Sequence, residues 1–380
     1  MRQIYLDHAS TTPVRPEVVE AMAPYFTEHF GNPSSIYPLG QEASDAVAAA
    51  RESLASLIGA TPREIFFSSG GTESDNWALK GFARANATKG RHIITSAIEH
   101  HAVLHTCEAL EREGFEVTYL PVDEHGLVSV EDFKAAIRPD TILASTMFAN
   151  NEVGTVEPVE ELVRIAHAHG VPIHVDAVQA AGQIPIRFRD WDVDALSVSG
   201  HKFGTPKGLG ALLVRGRTPI EPVLSGGGQE RGLRSGTQNV AGAVALAIGL
   251  NESNARMQAQ YRELVASRDM LIDAVRRVAP RADLTGDPER RLPGHASFIF
   301  PGVTGEALLV DLDARGIAAS SGSACAIGRH EIPATLLAMG LEPSIAKSAL
   351  RMTFRKPLTR EQVERISLAI EESYTDLTRH

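Results

Sequence analysis

Two residues that each close a strand-like run have a setting that could do chemistry. Lys202 ends Ser199-Gly200-His201-Lys202, directly after the alternating stretch Leu196-Ser197-Val198. Asp176 ends the apolar run His174-Val175-Asp176 and is followed by Ala177-Val178-Gln179. A lysine amine can condense with an aldehyde, and an aspartate beside a protonated pyridine nitrogen lets that ring withdraw electrons. The pair therefore points to a pyridoxal phosphate site. Either residue alone carries little weight, because most lysines and aspartates are solvated surface charges.

Three further runs could serve such a site. Ser68-Ser69-Gly70-Gly71-Thr72-Glu73-Ser74 joins a strand to a helix and offers backbone N–H groups and hydroxyls to an anion, as a phosphate cup does. The same run could be only a glycine turn that caps a helix. GxxxxGK[ST] and GxGxxG are both absent, so neither a Walker loop nor a dinucleotide fingerprint is expected. His100 follows a strand and precedes a helix, which suits an imidazole stacked on a planar ring or moving protons near neutral pH; His101 reads as an exposed or capping residue. The glycine-rich run 226–237 carries Arg231, Arg234 and Thr237 and is expected to deliver polar groups to an anion.

The two cysteines differ in setting. Cys107 sits among larger apolar residues, as a structural cysteine does, whereas Cys325 lies in the small-residue run Ser320-Ser321-Gly322-Ser323-Ala324-Cys325. The latter setting suits an accessible thiolate nucleophile. With no CxxC, no HExxH and adjacent histidines at 100 and 101, neither a disulfide framework nor a metal site is expected.

Composition sets the class. The chain has 380 residues, 43% of them hydrophobic and 22% charged, enough to bury a large core. A net charge of -10 argues against nonspecific binding to nucleic acid or an anionic membrane. No apolar run is long enough to span a bilayer, and the amino-terminal residues lack a signal-peptide core, so a cytoplasmic protein acting on small molecules is expected.

The elements that must position these residues follow from the apolar pattern. Strands are expected at 64–68, 92–96, 116–120, 141–147, 172–176, 195–199 and 210–214, with helices at 16–29, 40–57, 72–87, 101–113 and 158–169. This alternation predicts an α/β fold with a mainly parallel seven-stranded sheet. A long helix over 240–278 leads to a smaller α+β part with strands at 296–300 and 350–354 and helices at 305–315 and 359–378. The division expected is a large cofactor-binding domain over 15–255 and a small domain of 1–14 and 256–380 that carries the cysteine loop. In open α/β sheets ligands bind beyond the carboxyl ends of the strands, where Gly70-Gly71-Thr72, His100, Asn150-Asn151, Asp176 and Lys202 all fall.

With these residues the chain resembles the cysteine desulfurases of the NifS and IscS type, in the class V aminotransferase superfamily of fold-type I pyridoxal phosphate enzymes. The likeness runs nearly end to end through Tyr5-Leu6-Asp7-His8-Ala9-Ser10-Thr11-Thr12-Pro13, Gly31-Asn32-Pro33-Ser34-Ser35, Ser69-Gly70-Gly71-Thr72-Glu73-Ser74, Glu99-His100, Asn150-Asn151-Glu152-Val153-Gly154, His174-Val175-Asp176, Ser199-Gly200-His201-Lys202, Arg234-Ser235-Gly236-Thr237 and Ser321-Gly322-Ser323-Ala324-Cys325. The resemblance implies that Lys202 holds the cofactor covalently, Asp176 pairs with its pyridine nitrogen and Gln179 bonds its ring hydroxyl. It implies a phosphate held by Gly71, Thr72, Ser199 and His201, with Thr237 reaching the phosphate of the neighbouring subunit in a homodimer. Asn151 would lie by the cofactor and Arg351 would pair with the substrate carboxylate. The implied reaction takes L-cysteine to alanine, with Lys202 moving the α-proton, His100 managing the thiol proton and Cys325 receiving the sulfur as a persulfide. A sulfur-acceptor protein, such as an iron-sulfur scaffold or a tRNA-thiolation carrier, is the implied partner. An aminotransferase, a β-eliminating lyase, a selenocysteine lyase and a non-catalytic scaffold are the alternatives. Two features depart from the family pattern: Tyr37 stands where histidine is common, and 326–333 is unfamiliar, which leaves the acceptor open.

Overall fold

The computed structural model describes residues 3–322 and 332–379. The chain begins with a two-residue strand β1 (Ile4–Tyr5), then the helices α1 (Pro16–Met22), α2 (Pro24–Thr27) and α3 (Pro38–Ile58). One helix was expected over 16–29. The break falls at Pro24, which has no N–H to continue the ladder and starts a new turn at its own N1 position. Helix α3 ends on Gly59, whose φ of 77° gives the left-handed C-terminal cap that glycine adopts without a Cβ clash.

The central part alternates as its apolar pattern requires. In chain order it runs β2 (Ile65–Ser68), α4 (Gly71–Asn86), β3 (His92–Ser96), α5 (His101–Arg112), β4 (Glu116–Leu120), α6 (Val130–Ala136), β5 (Thr141–Met147), α7 (Val159–Ala168), β6 (Ile173–Asp176), β7 (Ala195–Ser199) and β8 (Gly210–Val214). These seven strands form one sheet in the order β2-β8-β7-β6-β5-β3-β4. The pairs β4/β3, β3/β5, β5/β6 and β6/β7 are parallel, and β8 alone runs against its neighbours β7 and β2. The inner strands β3, β5, β6, β7 and β8 are buried along their whole length. Both faces must therefore be covered. One face packs Phe66, Ile93, Leu143 and Leu212 against Trp77 and Phe82 of α4 and Val103 and Leu110 of α5. The other packs Ile65, Ile94, Val175 and Leu196 against α3, α7 and the first half of α8 (Val240–Val278).

A second core lies farther along α8. It gathers Leu271 and Val275 of that helix with Ile4 and Leu6, and with β10 (His295–Ile299), α9 (Gly305–Ala314), β12 (Ala349–Thr353) and α12 (Arg360–Thr378). Strand β10 pairs antiparallel with β12 and with β9 (Asp283–Leu284), while β1 pairs parallel with β11 (Ile317–Ala318). Two short helices, α10 (Ala334–Ala338) and α11 (Pro343–Ala346), precede β12. The helix α6 and the two-residue strands were not expected, being too short to show a period.

The glycine-rich run is fastened to the sheet by a buried ion pair. Arg51 of α3 donates from both terminal nitrogens to Glu230, each at 2.8 Å, and Phe67 N–H donates to the same carboxylate at 3.2 Å. Glu230 and Arg231 hold φ of 46° and 59°, a left-handed conformation that costs non-glycine residues energy and is held here by these bonds. Arg51→Met leaves the Glu230 carboxylate buried without its cation and should lower unfolding free energy by about 3–5 kcal/mol at neutral pH. Burial alone would raise the Glu230 carboxyl, but Arg51 and Gln238 hold it below its ordinary value. The wild-type advantage in urea unfolding is thus full above the unfolded glutamate pKa of about 4.3 and is lost as pH falls through the lower folded value.

Candidate active site

At the carboxyl edge of the central sheet lies a cavity of about 310 Å³. Gly71, Thr72, His100, Asn151, Asp176, Gln179, Ser199, His201, Lys202 and Arg351 all line it. Of the residues singled out from sequence, Thr237 is exposed and does not line this cavity, and Cys325 lies outside the described residues.

One end of the cavity has groups suited to an anion. Gly70 holds a φ of 146°, and a Cβ on Gly71 would meet Val178 Cγ2 at 2.7 Å, so α4 can start this close to the β6 loop only on glycine. The first N–H groups of α4 have no partner earlier in the helix and carry its positive end. Ser199 ends β7 beside them, and His201 makes a 3.2 Å contact from Nδ1 to Thr11 Oγ1. Burial and the nearby Lys202 charge lower His201 to about 4, so it is neutral. The arginines of the glycine-rich run do not reach this end. Arg234 bonds Glu73 at 2.8 Å, and Arg231 stacks on Phe66 and donates to Ile65 O. Both are consumed in fastening the loop.

At the other end Asp176 and Lys202 come off adjacent strands. Asp176 closes β6 opposite Ser197 of β7, and its Oδ1 accepts from Val178 N–H at 2.9 Å. Burial pushes the carboxyl up to about 6, against the pull of that bond and of Lys202. Lys202 Nζ donates to the carbonyls of Ala9 and, at 3.0 Å, Ser10. Burial lowers its amine to about 7, and the charges of Arg351 and Arg355 add to the effect. A pyridine ring between these strand ends fits the donor set. Its N–H would answer Asp176, and its hydroxyl would answer Gln179 Oε1, a buried atom with no hydrogen-bond partner among the described residues. The amide of Gln179 is already oriented, since Nε2 donates to Ala9 O at 3.0 Å.

His100 caps α5, where its Nδ1 accepts from Ala102 N–H at 3.1 Å. Burial and the Lys202 charge lower the ring to about 4. A neutral imidazole with Nδ1 so occupied carries its proton on Nε2, the nitrogen left for the cavity. Arg351 is only 2% exposed and already engaged. It donates to Asp7 and Ser10 at 2.9 Å each, to Asn151 O at 2.8 Å and to Gly322 O at 2.6 Å. Its Nε is buried and finds no hydrogen-bond partner among the described residues.

Sequence reasoning missed the acids beneath the cavity. Asp75 and Glu99 both line it and are buried. Asp75 Oδ1 lies 3.6 Å from His174 Nε2, and His174 is itself held by Ser145 and Ser197 hydroxyls at 2.9 Å. Glu99 accepts from Ser96 at 2.6 Å and from Met147 N–H at 2.8 Å. Burial raises both carboxyls, and the Asp176 charge adds to it. The signal available was position: Asp75 is one turn into the helix after Thr72, and Glu99 adjoins His100. Asp7, the partner of Arg351, was likewise passed over.

A family model described as aminotransferase class-V matches residues 4–366. Cysteine desulfurase IscS of Methanosarcina thermophila is 49% identical over 371 residues, covering 98% of this chain and 92% of that relative. The chain belongs to the class-V aminotransferase family, among its cysteine desulfurases. A second relative so named, from Clostridium botulinum, is 47% identical over 96% of this chain and 92% of its own length. Among solved structures, a NifS-like protein superposes with a TM-score of 0.91 at 39% identity, covering 97% of this chain and 98% of its own. Another, SspA in complex with cysteine, superposes with a TM-score of 0.81 at 34% identity over 93% of this chain and 99% of its own. Class-V aminotransferase-family cysteine desulfurases depend on pyridoxal phosphate.

The lowered amine of Lys202 has a direct readout. In the cofactor-free protein, limiting acetic anhydride followed by peptide mass spectrometry should label Lys202 with a midpoint near pH 7, because below it the amine is protonated and above it free. A midpoint near the ordinary lysine value of about 10.4 would contradict the geometry described.

Proposed function

We propose that the protein is a cysteine desulfurase that moves the sulfur of L-cysteine onto Cys325 and releases L-alanine. The observation that carries this reading is the meeting of Lys202 and Asp176 in one cavity with a neutral His100 and the guanidinium of Arg351. Gly71, Thr72, Ser199 and His201 are suited to the cofactor phosphate, Asp176 to the pyridine nitrogen, Gln179 to the ring hydroxyl and Lys202 to the aldehyde. Bound there, pyridoxal phosphate supplies an electron sink for the bonds at the substrate α-carbon.

The chain's own residues do the rest. Arg351 offers Nε to the substrate carboxylate, and its fixed guanidinium sets the orientation in which the α-proton faces Lys202. Lys202, with an amine lowered to about 7, takes that proton at neutral pH and can return it. His100 presents Nε2–H to the substrate sulfur and shares its proton. Cys325 thiolate attacks that sulfur: an S–S bond forms, the Cβ–S bond breaks, and the pair of electrons stays with carbon, which gains a proton to become the methyl of alanine. Sulfur is oxidised to the persulfide level as carbon is reduced, so no outside oxidant is needed.

Several finer readings belong to the same proposal. Thr237 is exposed away from its own cavity, and Phe30 and Ile36 are also exposed, at 65% and 100%, which supports a homodimer in which Thr237 serves the neighbouring phosphate. The two separate cores met by α8 support a division into 15–255 and 1–14 with 256–380. A persulfide is useful only if a carrier accepts it, so a sulfur-acceptor protein for iron-sulfur assembly or tRNA thiolation is the partner proposed. Free-thiol chemistry suits a reducing compartment such as the cytoplasm. Among the described residues no helix is long and apolar enough to cross a membrane.

With L-cysteine and a thiol reductant the wild type should release alanine and sulfide together. Cys325→Ala should lower both by about a hundredfold or more, and Lys202→Ala should lower kcat by about 10²–10⁴-fold while pyridoxal phosphate can still bind. Alanine release unaffected by Cys325→Ala would defeat the persulfide step.

A further inference from the structure

A second cavity, of about 290 Å³, shares only Lys202 with the first among its described lining residues. It runs between the segment 12–17, the middle of α8 and the turn that follows β12. We propose that this cleft binds a small organic dianion, a short dicarboxylate or a carboxylate with a phosphate, through Arg355 and Arg15 at its depth and Arg256 and Lys356 at its mouth.

The charge distribution is the first argument. Besides Lys202, four Arg and Lys side chains line the cleft, against one described carboxylate, Glu17, in a chain whose net charge is -10. Glu17 is engaged with Arg256 at 3.8 Å, and Glu252 is the other acid acting on Arg15. Among the described residues nothing of this kind compensates Arg355. Its Nη2 is buried with no hydrogen-bond partner among the described residues, and the charge that faces it is the like charge of Arg15. A buried guanidinium donor left unmade is costly, and the repulsion between two half-buried cations adds to that cost. An anion between them would turn both costs into charge-assisted hydrogen bonds.

Geometry is the second argument. Arg15 cannot swing away to solvent, because Nε donates to Phe203 O at 3.3 Å and Nη2 to Ser253 Oγ at 2.9 Å. Arg355 is fixed by the strand it follows, two residues beyond the end of β12. Val14, Phe203, Met257, Leu264 and Pro293 give the cleft an apolar wall, beside the polar side chains of His8, Gln183 and Gln260. The apolar part suits a carbon body. The volume stands at the lower edge of small-molecule sites, about 300 Å³, which suits a metabolite-sized acid. The site is distinct from the proposed substrate arginine, since Arg351 lines only the first cavity.

The test is isothermal titration calorimetry of succinate into the cofactor-loaded, full-length protein. The wild type should bind one succinate per chain, and Arg355→Met should weaken binding by at least about tenfold, as loss of a charged hydrogen-bond donor implies. Arg256→Met, at the partly exposed mouth, keeps the test sound should Arg355→Met fail to fold, and it too should weaken binding. Arg351→Gln should bind succinate as the wild type does. No saturable binding by the wild type, or binding unchanged in both Arg355→Met and Arg256→Met, would overturn the proposal. So would loss of binding in Arg351→Gln alone, which would place succinate in the substrate cavity. Inorganic phosphate binding more tightly than succinate would overturn the assignment of a carbon-bodied ligand.

Discussion

The withdrawal from water of Asp176, buried at the end of β6, and of Lys202, half-buried on the turn that follows the neighbouring parallel strand β7, is the constraint around which the site is organised. In the interior each charge is expensive alone, so burial drives the carboxyl up and the amine down until both titrate near neutrality. A surface pair would have no such poise. The sheet supplies the placement, since β6 and β7 are in register at Asp176 and Ser197, and the 3₁₀ turn Gly200–Lys202 then brings the amine back over the strand ends. Closeness of backbone is the accompanying constraint: a Cβ on Gly210 would meet Gly70 Cα at 2.6 Å, so the reversed strand β8 can pass the turn before α4 only on glycine.

A short amino-terminal segment holds the two halves of the site together. The carbonyls of Ala9 and Ser10 accept from Lys202, and Ala9 O also accepts from Gln179. Asp7 and Ser10 side chains accept from Arg351, which stands on β12 of the second core. Residues 7–10 therefore join the lysine proposed for the cofactor to the arginine proposed for the substrate. Movement of one core relative to the other would alter both. The Arg351 charge also acts directly on the Lys202 amine, lowering it.

Most of the sheet was legible in the sequence because short apolar and β-branched stretches, such as Ile65-Phe66-Phe67 and Ala211-Leu212-Leu213-Val214, alternate with amphipathic helical ones. The placement of Lys202, Asp176 and His100 followed from the same stretches, Asp176 closing β6 and the other two falling three and four residues beyond β7 and β3. What escaped has physical reasons. A two-residue strand such as β1 shows no period, and α6 is a single short amphipathic piece. The break at Pro24 was readable from proline chemistry but was masked by a helical pattern that resumes at once. Asp75 and Glu99 look like ordinary surface acids in sequence, since their burial is decided by chain segments far away. The arginines of the glycine-rich run were assigned to an anion because their partners Glu73 and the Ile65 carbonyl are distant in sequence.

In the function proposed, Lys202 and Asp176 hold the electron sink, and Cys325 is the residue that would turn it toward sulfur transfer. The most direct measurement is the mass of the Cys325 peptide after one turnover of L-cysteine with no reductant present. The account predicts a gain of one sulfur atom on Cys325, matched by one alanine per active site, and removed by a thiol reductant. Alanine formed in that stoichiometry with the Cys325 peptide unchanged in mass would contradict it.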